Sequence, residues 1–283
     1  MRTITPVACP MPIVHPTSIL SPKVELAADV EIGPFCVIEG DVRLDTGVKL
    51  VGNVYIRGPV RIGARTLIHP FTCIGFAAQH LKIDQQRIAG AGVVIGAECV
   101  LREGVTVHAA STEEHPTRIG DRAFLMANAH VGHDAEVGAG ATLVNNSALG
   151  GHSLVGEAAT LGGGAMVHQF TRVGRLAFIG GATRVTADVP PFTSAVERSR
   201  LIGVNLVGLR RAGVERSEIT TVRTAFRRAF RRPMGRAEMI AGLEPLAGAS
   251  SLVREMTEFI RGGSRPISVG YDRADPPSDS SES

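Results

Sequence analysis

The feature that most constrains this sequence is an aliphatic residue that recurs every six positions. The first run is unbroken and consists of Val14, Leu20, Leu26, Ile32, Ile38, Leu44, Leu50, Ile56, Ile62, Ile68 and Ile74. The second run contains one interruption and consists of Ile95, Leu101, Val107, Ile119, Leu125, Val131, Val137, Leu143, Leu149, Val155, Leu161, Val167, Val173, Ile179 and Val185. A small or β-branched residue often follows four positions later. A period of six matches neither a helix nor a simple alternating strand.

This period predicts a solenoid in which each six-residue unit forms a short strand and a turn. Three units then make one triangular coil of about 18 residues, and successive coils pair as parallel strands about 4.8 Å apart. The 33 glycines and 4% aromatic residues favour tight turns and small stacked side chains. Glycine, asparagine and aspartate are expected to supply the turn conformations, and glycine often follows the aliphatic residue, as at Gly120 and Gly156. The predicted fold class is mainly β, a left-handed parallel β-helix of the hexapeptide-repeat type with a C-terminal α-helical domain.

The repeats set the expected domain boundaries. Residues 1–12 form an N-terminal extension, and residues 13–192 form the β-helix. Residues 76–92 and 109–118 break the period and are expected to leave the coil as loops beside the histidine-rich region. Residues 193–263 have helical patterning, with Ser217 as the expected N-cap of one helix and another helix after Ser250. The polar tail, 264–283, is expected to be disordered.

Bulk composition excludes several classes of protein. No run of 18 apolar residues exists, so no transmembrane helix is expected. The N-terminus has no apolar signal segment, and the four cysteines form no CxxC pair. We therefore expect reduced thiols and a cytoplasmic location. A net charge of +3 is too small to indicate nucleic-acid binding by itself.

Histidines cluster outside the core positions of the repeat. Inward positions are the aliphatic residue and the residue four later, and none of these histidines occupies either. Because one coil spans three repeat units, position 133 stacks on 151 and 169, so three consecutive coils should bring histidines to one edge. The expected cluster consists of His130, His133, His152 and His168, with Asp134 and Gln169 in the same zone.

Such a cluster favours acid–base chemistry. An imidazole can take a proton from a hydroxyl near neutral pH, and Asp134 could fix the tautomer of His133. Backbone N–H groups at Gly150–Gly151 could hold an oxyanion. This set suits acyl transfer to an alcohol, with no metal or tightly bound cofactor. Two alternatives stay open: the histidines are simply solvated, or they bind zinc, as in some hexapeptide-repeat carbonic anhydrases.

Several short segments carry a resemblance to one family. They are "HPT" at 15–17, "IGPFC" at 32–36, "NAHVGHD" at 128–134, "LGGH" at 149–152, "VHQF" at 167–170, "DVPPF" at 188–192 and "GVNLVGLRR" at 203–211. Over residues 13–261 the chain resembles the bacterial UDP-N-acetylglucosamine O-acyltransferases of lipid A biosynthesis. The repeat alone is shared by many acyltransferases, whereas the histidine motifs together are much more specific.

The resemblance implies a homotrimer with active sites between neighbouring prisms. It implies transfer of a 3-hydroxyacyl chain from the phosphopantetheine of acyl carrier protein to the 3-hydroxyl of the UDP-sugar. In that family the residue matching His133 is the general base, the one matching Asp134 orients it, and the N–H matching Gly151 polarises the thioester. Gly181 matches the position that limits acyl length. Substrate contacts are implied for Gln79, Lys82, His130, His152, His168, Gln169, Asn205 and Arg211.

Three positions depart from the family pattern. His80 replaces an aspartate, Val207 replaces a glutamate, and Ala212 replaces the second of two arginines. All three match nucleotide-sugar contacts, so we expect them to affect the acceptor and not the base. Another UDP-amino sugar is therefore an alternative acceptor. N-acylation is less favoured, because that family carries a uridine-binding domain before its repeats. A zinc lyase and a structural trimer without activity are the alternatives from other classes.

The helical region carries a basic stripe. Arg223, Arg227 and Arg231 are four residues apart and should share one face of a helix. A solvated basic face is one interpretation. Nucleic acid is not predicted, because no aromatic residues interleave with these arginines. Acyl carrier proteins are strongly acidic, so we predict that the stripe steers one towards the active edge.

Overall fold

A computed structural model describes residues 11–86 and 90–270 of the chain. These residues belong to two compact units, one ending at Ala139 and the other beginning at Gly140. Residues 1–10, which include most of the expected N-terminal extension, lie outside the described residues, as do 87–89 and 271–283.

The first unit is a three-faced parallel β-helix of short strands. Its first face contains Ile13–Val14, Glu31–Ile32, Lys49–Leu50, Leu67–Ile68, Val100–Leu101 and Phe124–Leu125. Its second face contains Ile19–Leu20, Val37–Glu39, Tyr55–Arg57, Cys73–Phe76, Thr106–His108 and His130–Val131. Its third face contains Val24–Leu26, Val42–Leu44, Val60–Ile62, Val93–Ile95, Thr117–Ile119 and Glu136–Val137.

Both excursions from the repeat leave at the same corner, directly after strands of the second face. The first loop runs between Phe76 and Val93, and the second runs between His108 and Thr117. Strand pairing resumes in register after each loop, since Val93 pairs with Val60 and Thr117 pairs with Val93. The loops therefore add chain at one corner without disturbing the stack.

The second unit continues the same kind of strand and adds helices. Its first face contains Thr142–Leu143, Thr160–Leu161, Phe178–Ile179, Thr193–Val196 and Arg200–Val204, the last two pairing antiparallel. The other faces contain Ala148–Leu149, Met166–Val167 and Arg184–Val185, and Leu154–Val155 and Arg172–Val173. The helices are α1 (Leu206–Arg211), α2 (Arg216–Ala229), α3 (Arg236–Ala247) and α4 (Ser251–Arg261).

The aliphatic residues of the repeat form the core. Ile38, Ile56 and Val131 are at most 1% exposed, and the small residue four positions later is buried as well, as at Val30 and Cys36. Burying each such side chain contributes about 1.5–3 kcal/mol, which explains why the period is kept through so many coils. The predicted fold class, a hexapeptide-repeat parallel β-helix followed by α-helices, is confirmed.

The turns agree with the prediction only in part, because some left-handed positions carry asparagine, aspartate or glycine and others carry bulkier residues. The left-handed conformation falls three residues after the aliphatic residue and is mostly occupied by residues other than glycine, such as Asp134 (φ 57°) and His152 (φ 58°). Gly120 and Gly156 follow the aliphatic residue directly and are not left-handed. A Cβ on Gly156 would lie 2.5 Å from the backbone nitrogen of Arg175 in the next coil. These glycines therefore permit close stacking of coils rather than the turn itself.

Three details of the C-terminal part differ from expectation or refine it. Ser217 lies inside α2, whose N-cap is Glu215. Ser250 does cap α4, because its hydroxyl oxygen accepts a hydrogen bond from the Val253 backbone N–H at 3.2 Å. Helix α2 ends at Ala229, so Arg231 lies beyond it and does not complete the predicted helical stripe. A proline at 233 disfavours helical geometry in the residue before it.

The start of the tail is ordered. Asp188 donates its backbone N–H to the carbonyl of Pro266 at 2.8 Å, and Leu201 donates to Val269 at 3.0 Å. Ser268 in turn donates its N–H to the Asp188 carbonyl at 2.8 Å. The expectation of disorder from residue 264 is therefore wrong as far as residue 270, because this segment satisfies backbone groups at the end of the β-helix.

Candidate active site

The corner that follows the strand His130–Val131 carries the pair His133 and Asp134. The Nδ1 atom of His133 lies 2.6 Å from Oδ2 of Asp134, and the two side chains are only 13% and 9% exposed. A carboxylate can only accept, so neutral His133 carries its proton on Nδ1. Its Nε2 is left with a lone pair that can accept a proton.

Asp134 is held by the second loop. Its carboxylate accepts the backbone N–H of Ser111 at 3.0 and 3.1 Å and the Ser111 hydroxyl at 2.6 Å. Its own backbone N–H donates to Oγ1 of Thr117 at 2.8 Å. Ser111 and Thr117 stand near the two ends of the loop. The excursion from the repeat is therefore part of the site.

Two further histidines lie beside the pair. His108 bonds through Nδ1 to the carbonyl of Ala77 in the first loop at 2.7 Å, and its ring centroid lies 5.4 Å from that of His130. Nδ1 of His130 lies 2.8 Å from Oγ1 of Thr106.

Burial of these two rings disfavours their charged forms. It lowers the pKa of His130 to about 4, helped by the charges that His108 and His133 can carry. Burial also lowers the pKa of His108, partly offset by the bond to Ala77. Both rings are therefore neutral near pH 7 and can accept or donate hydrogen bonds to a substrate.

The first loop reaches His133, a contact that the sequence did not predict. The rings of His80 and His133 meet edge to face with centroids 6.2 Å apart. The Nδ1 atom of His80 accepts the backbone N–H of Lys82 at 3.2 Å, which shapes the loop. Of the three departures, His80 therefore lies next to the predicted base. Gln79 and Lys82 themselves are exposed on the same loop.

In the second unit, His152 and its neighbours form a layered turn. The His152 ring stacks on Phe170 with centroids 4.6 Å apart and an angle of 5° between planes. Phe170 donates its backbone N–H to the carbonyl of Gly151 at 3.0 Å. A Cβ on Gly150 would lie 2.6 Å from the backbone nitrogen of Gln169, so the two turns stack closely only with glycine there.

The remaining predicted contacts of this unit fall in two places. His168 and Gln169 are exposed in the turn that contains Phe170, and Nδ1 of His168 lies 3.1 Å from the Gln169 carbonyl oxygen. Gly181 is exposed on another corner, where a Cβ would meet only the Gly163 carbonyl oxygen, at 3.3 Å. That corner is therefore open at the position implied to limit acyl length.

Asn205 has a structural role in addition to any contact with substrate. Its side-chain oxygen accepts the Gly208 backbone N–H at 3.0 Å, which caps α1, and its side-chain nitrogen donates to the Leu176 carbonyl at 2.8 Å. Arg211 is exposed in the last turn of α1, and Ala212 is its C-cap. Val207 is 56% exposed on the same helix.

Arginines line two adjoining cavities on the helices. One, of about 480 Å³, is bordered by Arg210, Arg216 and Arg223 over an apolar floor that includes Leu206 and Ile219. The other, of about 340 Å³, shares Leu206 and Arg223 and adds Phe226 and Arg227. Arg231 does not border either cavity, so the basic surface is formed by Arg210 and Arg216 together with two residues of the predicted stripe.

Sequence reasoning missed Ser111, Thr117, His108 and Phe170. Phe170 could have been found, because it follows His152 by one full coil. His108 could have been found as another histidine outside the core positions. Ser111 and Thr117 lie in a segment without a period, so no spacing indicated that they reach Asp134.

Comparison with known proteins identifies the family. The description "Udp N-acetylglucosamine O-acyltransferase; Domain 2" matches residues 188–268, and "Bacterial transferase hexapeptide (six repeats)" matches residues 116–151. The acyl-[acyl-carrier-protein]–UDP-N-acetylglucosamine O-acyltransferase of Azorhizobium caulinodans is 44% identical over 255 residues, covering 89% of this chain and 93% of that protein. The chain belongs to the UDP-N-acetylglucosamine O-acyltransferase family.

Other family members agree with this assignment, and the chain is accordingly an acyltransferase. The Mesorhizobium japonicum member is 48% identical, covering 87% of this chain and 88% of that protein. Among solved structures, the Moraxella catarrhalis enzyme matches with a TM-score of 0.85 at 29% identity, covering 90% of this chain and 99% of that one. The Francisella novicida enzyme gives 0.86 at 27% identity, covering 93% and 95%. Among the described residues, no helix is long and apolar enough to cross a bilayer.

Proposed function

We propose that this chain transfers a 3-hydroxyacyl group from acyl carrier protein to the 3-hydroxyl of UDP-N-acetylglucosamine, the first step of lipid A biosynthesis. The observation that carries the proposal is the hydrogen bond of 2.6 Å between His133 Nδ1 and Asp134, in a corner where both side chains are nearly buried. The family relatives, named for acyl carrier protein and UDP-N-acetylglucosamine, support this donor and this acceptor.

In the proposed reaction, His133 moves one proton twice. Its Nε2 takes the proton of the acceptor hydroxyl while that oxygen attacks the thioester carbonyl carbon. The tetrahedral intermediate collapses when the carbon–sulfur bond breaks, and Nε2 returns the proton to the departing thiolate. Asp134 keeps Nδ1 protonated and stabilises the imidazolium between the two steps. By resemblance to the family, the backbone N–H of Gly151 polarises the carbonyl oxygen.

The neutral histidines and the polar residues around them complete the proposed substrate site. His130, held by Thr106, is neutral near pH 7 and suits a hydrogen bond to a sugar hydroxyl or amide. Further substrate contacts are taken by resemblance, at His152, His168, Gln169, Gln79, Lys82, Asn205 and Arg211. The open corner at Gly181 leaves room for a longer acyl chain. No metal or further cofactor takes part, because the thioester is already activated and a base is present.

Acyl carrier protein is the proposed partner of the arginine surface on the helices. Arg223 borders both cavities and Arg227 borders the smaller one, and each cavity combines arginines with apolar residues. The acidic surface of acyl carrier protein would be attracted to these arginines, and such attraction increases the association rate more than the affinity of the complex. We place the docking surface at Arg210, Arg216, Arg223 and Arg227, with Arg231 at its margin.

A different UDP-amino sugar is the second candidate acceptor. His80, Val207 and Ala212 replace two carboxylates and a guanidinium of the family pattern, and His80 lies against the base. An imidazole offers a sugar a donor and an acceptor where a carboxylate offers acceptors only. This difference would suit a UDP-amino sugar with other hydrogen-bonding groups at these positions.

One experiment tests both candidates. The protein is incubated with each of a panel of acyl-carrier-protein thioesters and with UDP-N-acetylglucosamine or another UDP-amino sugar, and products are identified by mass. We expect an ester of UDP-N-acetylglucosamine as the main product. An ester of the other UDP-amino sugar as the main product would instead support the second candidate. No acylated product from any pair would favour a structural trimer.

A further inference from the structure

We infer that Ser111 is a positioning residue for acyl transfer, which fixes Asp134 and, through Asp134, the ring of His133. The inference rests on the proposed function, in which His133 is the base. Ser111 lies near the start of the second loop, outside every repeat position and outside the family motifs identified in the sequence.

The contacts of Asp134 lead to this role. Oδ2 of Asp134 accepts two short bonds, from the Ser111 hydroxyl and from His133 Nδ1, each at 2.6 Å. The Ser111 backbone N–H adds bonds of 3.0 and 3.1 Å to the two carboxylate oxygens. Three donors in fixed directions leave the carboxylate little freedom to rotate, so the oxygen that faces His133 stays in place.

The backbone of Asp134 is held from the other end of the same loop. Its left-handed conformation, φ 57°, is uncommon for residues with a side chain. Its N–H donates to Oγ1 of the buried Thr117 at 2.8 Å. Ser111 therefore fixes the side chain of Asp134, and Thr117 fixes its main chain.

These contacts determine the orientation and the tautomer of the His133 ring. If the carboxylate turns away, Nδ1 of His133 loses its acceptor, and the ring can rotate or carry its neutral proton on Nε2. In that tautomer Nε2 has no lone pair for the acceptor hydroxyl. Ser111 transfers no proton in the reaction and touches no reacting atom.

The test compares four single variants and one double variant. Ser111→Ala removes the hydroxyl and keeps the backbone N–H, Ser111→Thr restores a hydroxyl, and Thr112→Ala is the control on the next, exposed residue. We expect Ser111→Ala to lower kcat about tenfold with little change in KM for either substrate, since a hydrogen bond to a charged group is lost. Ser111→Thr should recover most of the rate, and Thr112→Ala should match the wild type.

Adding Ser111→Ala to an Asp134→Ala variant separates positioning from general support of the fold. We expect no further loss in the double variant, because the group that Ser111 positions is already absent. An equal tenfold loss in that background would overturn the inference, as would a wild-type kcat for Ser111→Ala. In either case, loss of activity in His133→Ala would leave the proposed function standing. Full activity in His133→Ala would refute the base assignment itself.

Discussion

At the scale of single residues, one backbone conformation recurs at several of the predicted site positions. The left-handed position, three residues after the aliphatic residue, is occupied by Asp134, His152 and Phe170, each one full coil after the last in sequence. Bulky side chains resist this conformation, so each occupant needs compensating contacts. Asp134 is hydrogen-bonded to Ser111 and Thr117, and the ring of His152 stacks on the ring of Phe170. The backbone strain at these turns is thus offset by contacts with neighbouring polar and aromatic groups.

Replacing the base tests the chemistry directly. His133→Ala should lower kcat by a factor on the order of 10²–10⁴, because it removes general-base catalysis while leaving the β-helix core intact. His115→Ala, in the exposed part of the second loop, is the matched control and should keep the wild-type rate. The measurement is product formation from an acyl-carrier-protein thioester. A His133→Ala enzyme that keeps most of its activity would show that another group is the base.

The burial of His130 predicts how stability depends on pH. Its pKa falls from the ordinary 6.5 to about 4 in the folded chain, so the unfolded chain binds the proton more readily. Its contribution to stability is therefore fully present above about pH 6.5 and is lost as the pH falls towards 4. His108, whose pKa is lowered in the same direction, adds to the effect. The partly exposed ring of His130 should account for about 1–2 kcal/mol after solvent screening.

Urea unfolding near pH 7 and near pH 5 measures this effect. The wild type should lose stability between the two, and His130→Gln, which cannot titrate, should lose less. His115→Ala should behave as the wild type does. An identical loss in wild type and His130→Gln would show that His130 does not set the acid sensitivity.

Metal analysis tests the proposal that the reaction needs no Lewis acid. The expectation rests on the proposed donor, because a thioester is already activated for attack by a hydroxyl without a metal. We expect purified protein to contain far less than one zinc per chain and to keep its activity after chelation. Stoichiometric zinc together with activity lost on chelation and restored by zinc would contradict this and support the lyase alternative.

At the scale of elements, loops and helices supply what the repeat cannot. A coil of six-residue units exposes few side chains per turn, and its corner positions are restricted by stacking. The loops that leave after Phe76 and His108 bring Ala77, His80 and Ser111 to the histidines. The helices supply a basic surface with an apolar floor. The β-helix therefore sets the positions of His133 and Asp134, and the inserted segments hold their side chains in place.

Charge reversal on α2 tests the docking surface. Arg223→Glu and Arg227→Glu should each raise the KM for the acyl-carrier-protein thioester several-fold, with a smaller effect at high salt. Turnover of a small pantetheine thioester should stay near the wild-type value. Arg231→Glu, beyond the end of α2, is the comparison and should have a weaker effect. Equal losses with both donors would mean that these arginines support the fold or the sugar nucleotide instead.

At the scale of the whole molecule, the first unit presents apolar residues that a monomer would leave in water. Phe35 and Phe71 are 57% and 65% exposed and both adopt the left-handed conformation. Ile19 and Tyr55, on the second face, are 66% and 44% exposed. Exposed aromatic residues held in a costly conformation are typical of surfaces covered by association. They favour the homotrimer that the resemblance implies, in which a face of one chain would be covered by another.

Asparagine substitutions separate association from folding. Asn53 already occupies the equivalent position between these two residues, with φ 52°. Phe35→Asn with Phe71→Asn should therefore be tolerated by the single chain and should weaken the trimer. Light scattering of the wild type should give three times the 29.8 kDa of one chain, and the variant should dissociate on dilution while keeping its circular dichroism. A trimer unaffected by both substitutions would place the interface elsewhere.

The sequence alone determined the β-helix, its core and the corner that carries His133 and Asp134, because a strict period of six fixes which side chains face inward and which stack on the next coil. It also indicated that α2 and α4 exist, through apolar residues at helical spacing. Only the tertiary structure decided what holds the site together. Ser111, His80 and Ala77 lie in loops with no period, so their contacts depend on how the chain returns to the coil. The left-handed turns were only partly foreseen, because histidine and phenylalanine occupy them as well as glycine, asparagine and aspartate, and no single residue type marks the conformation.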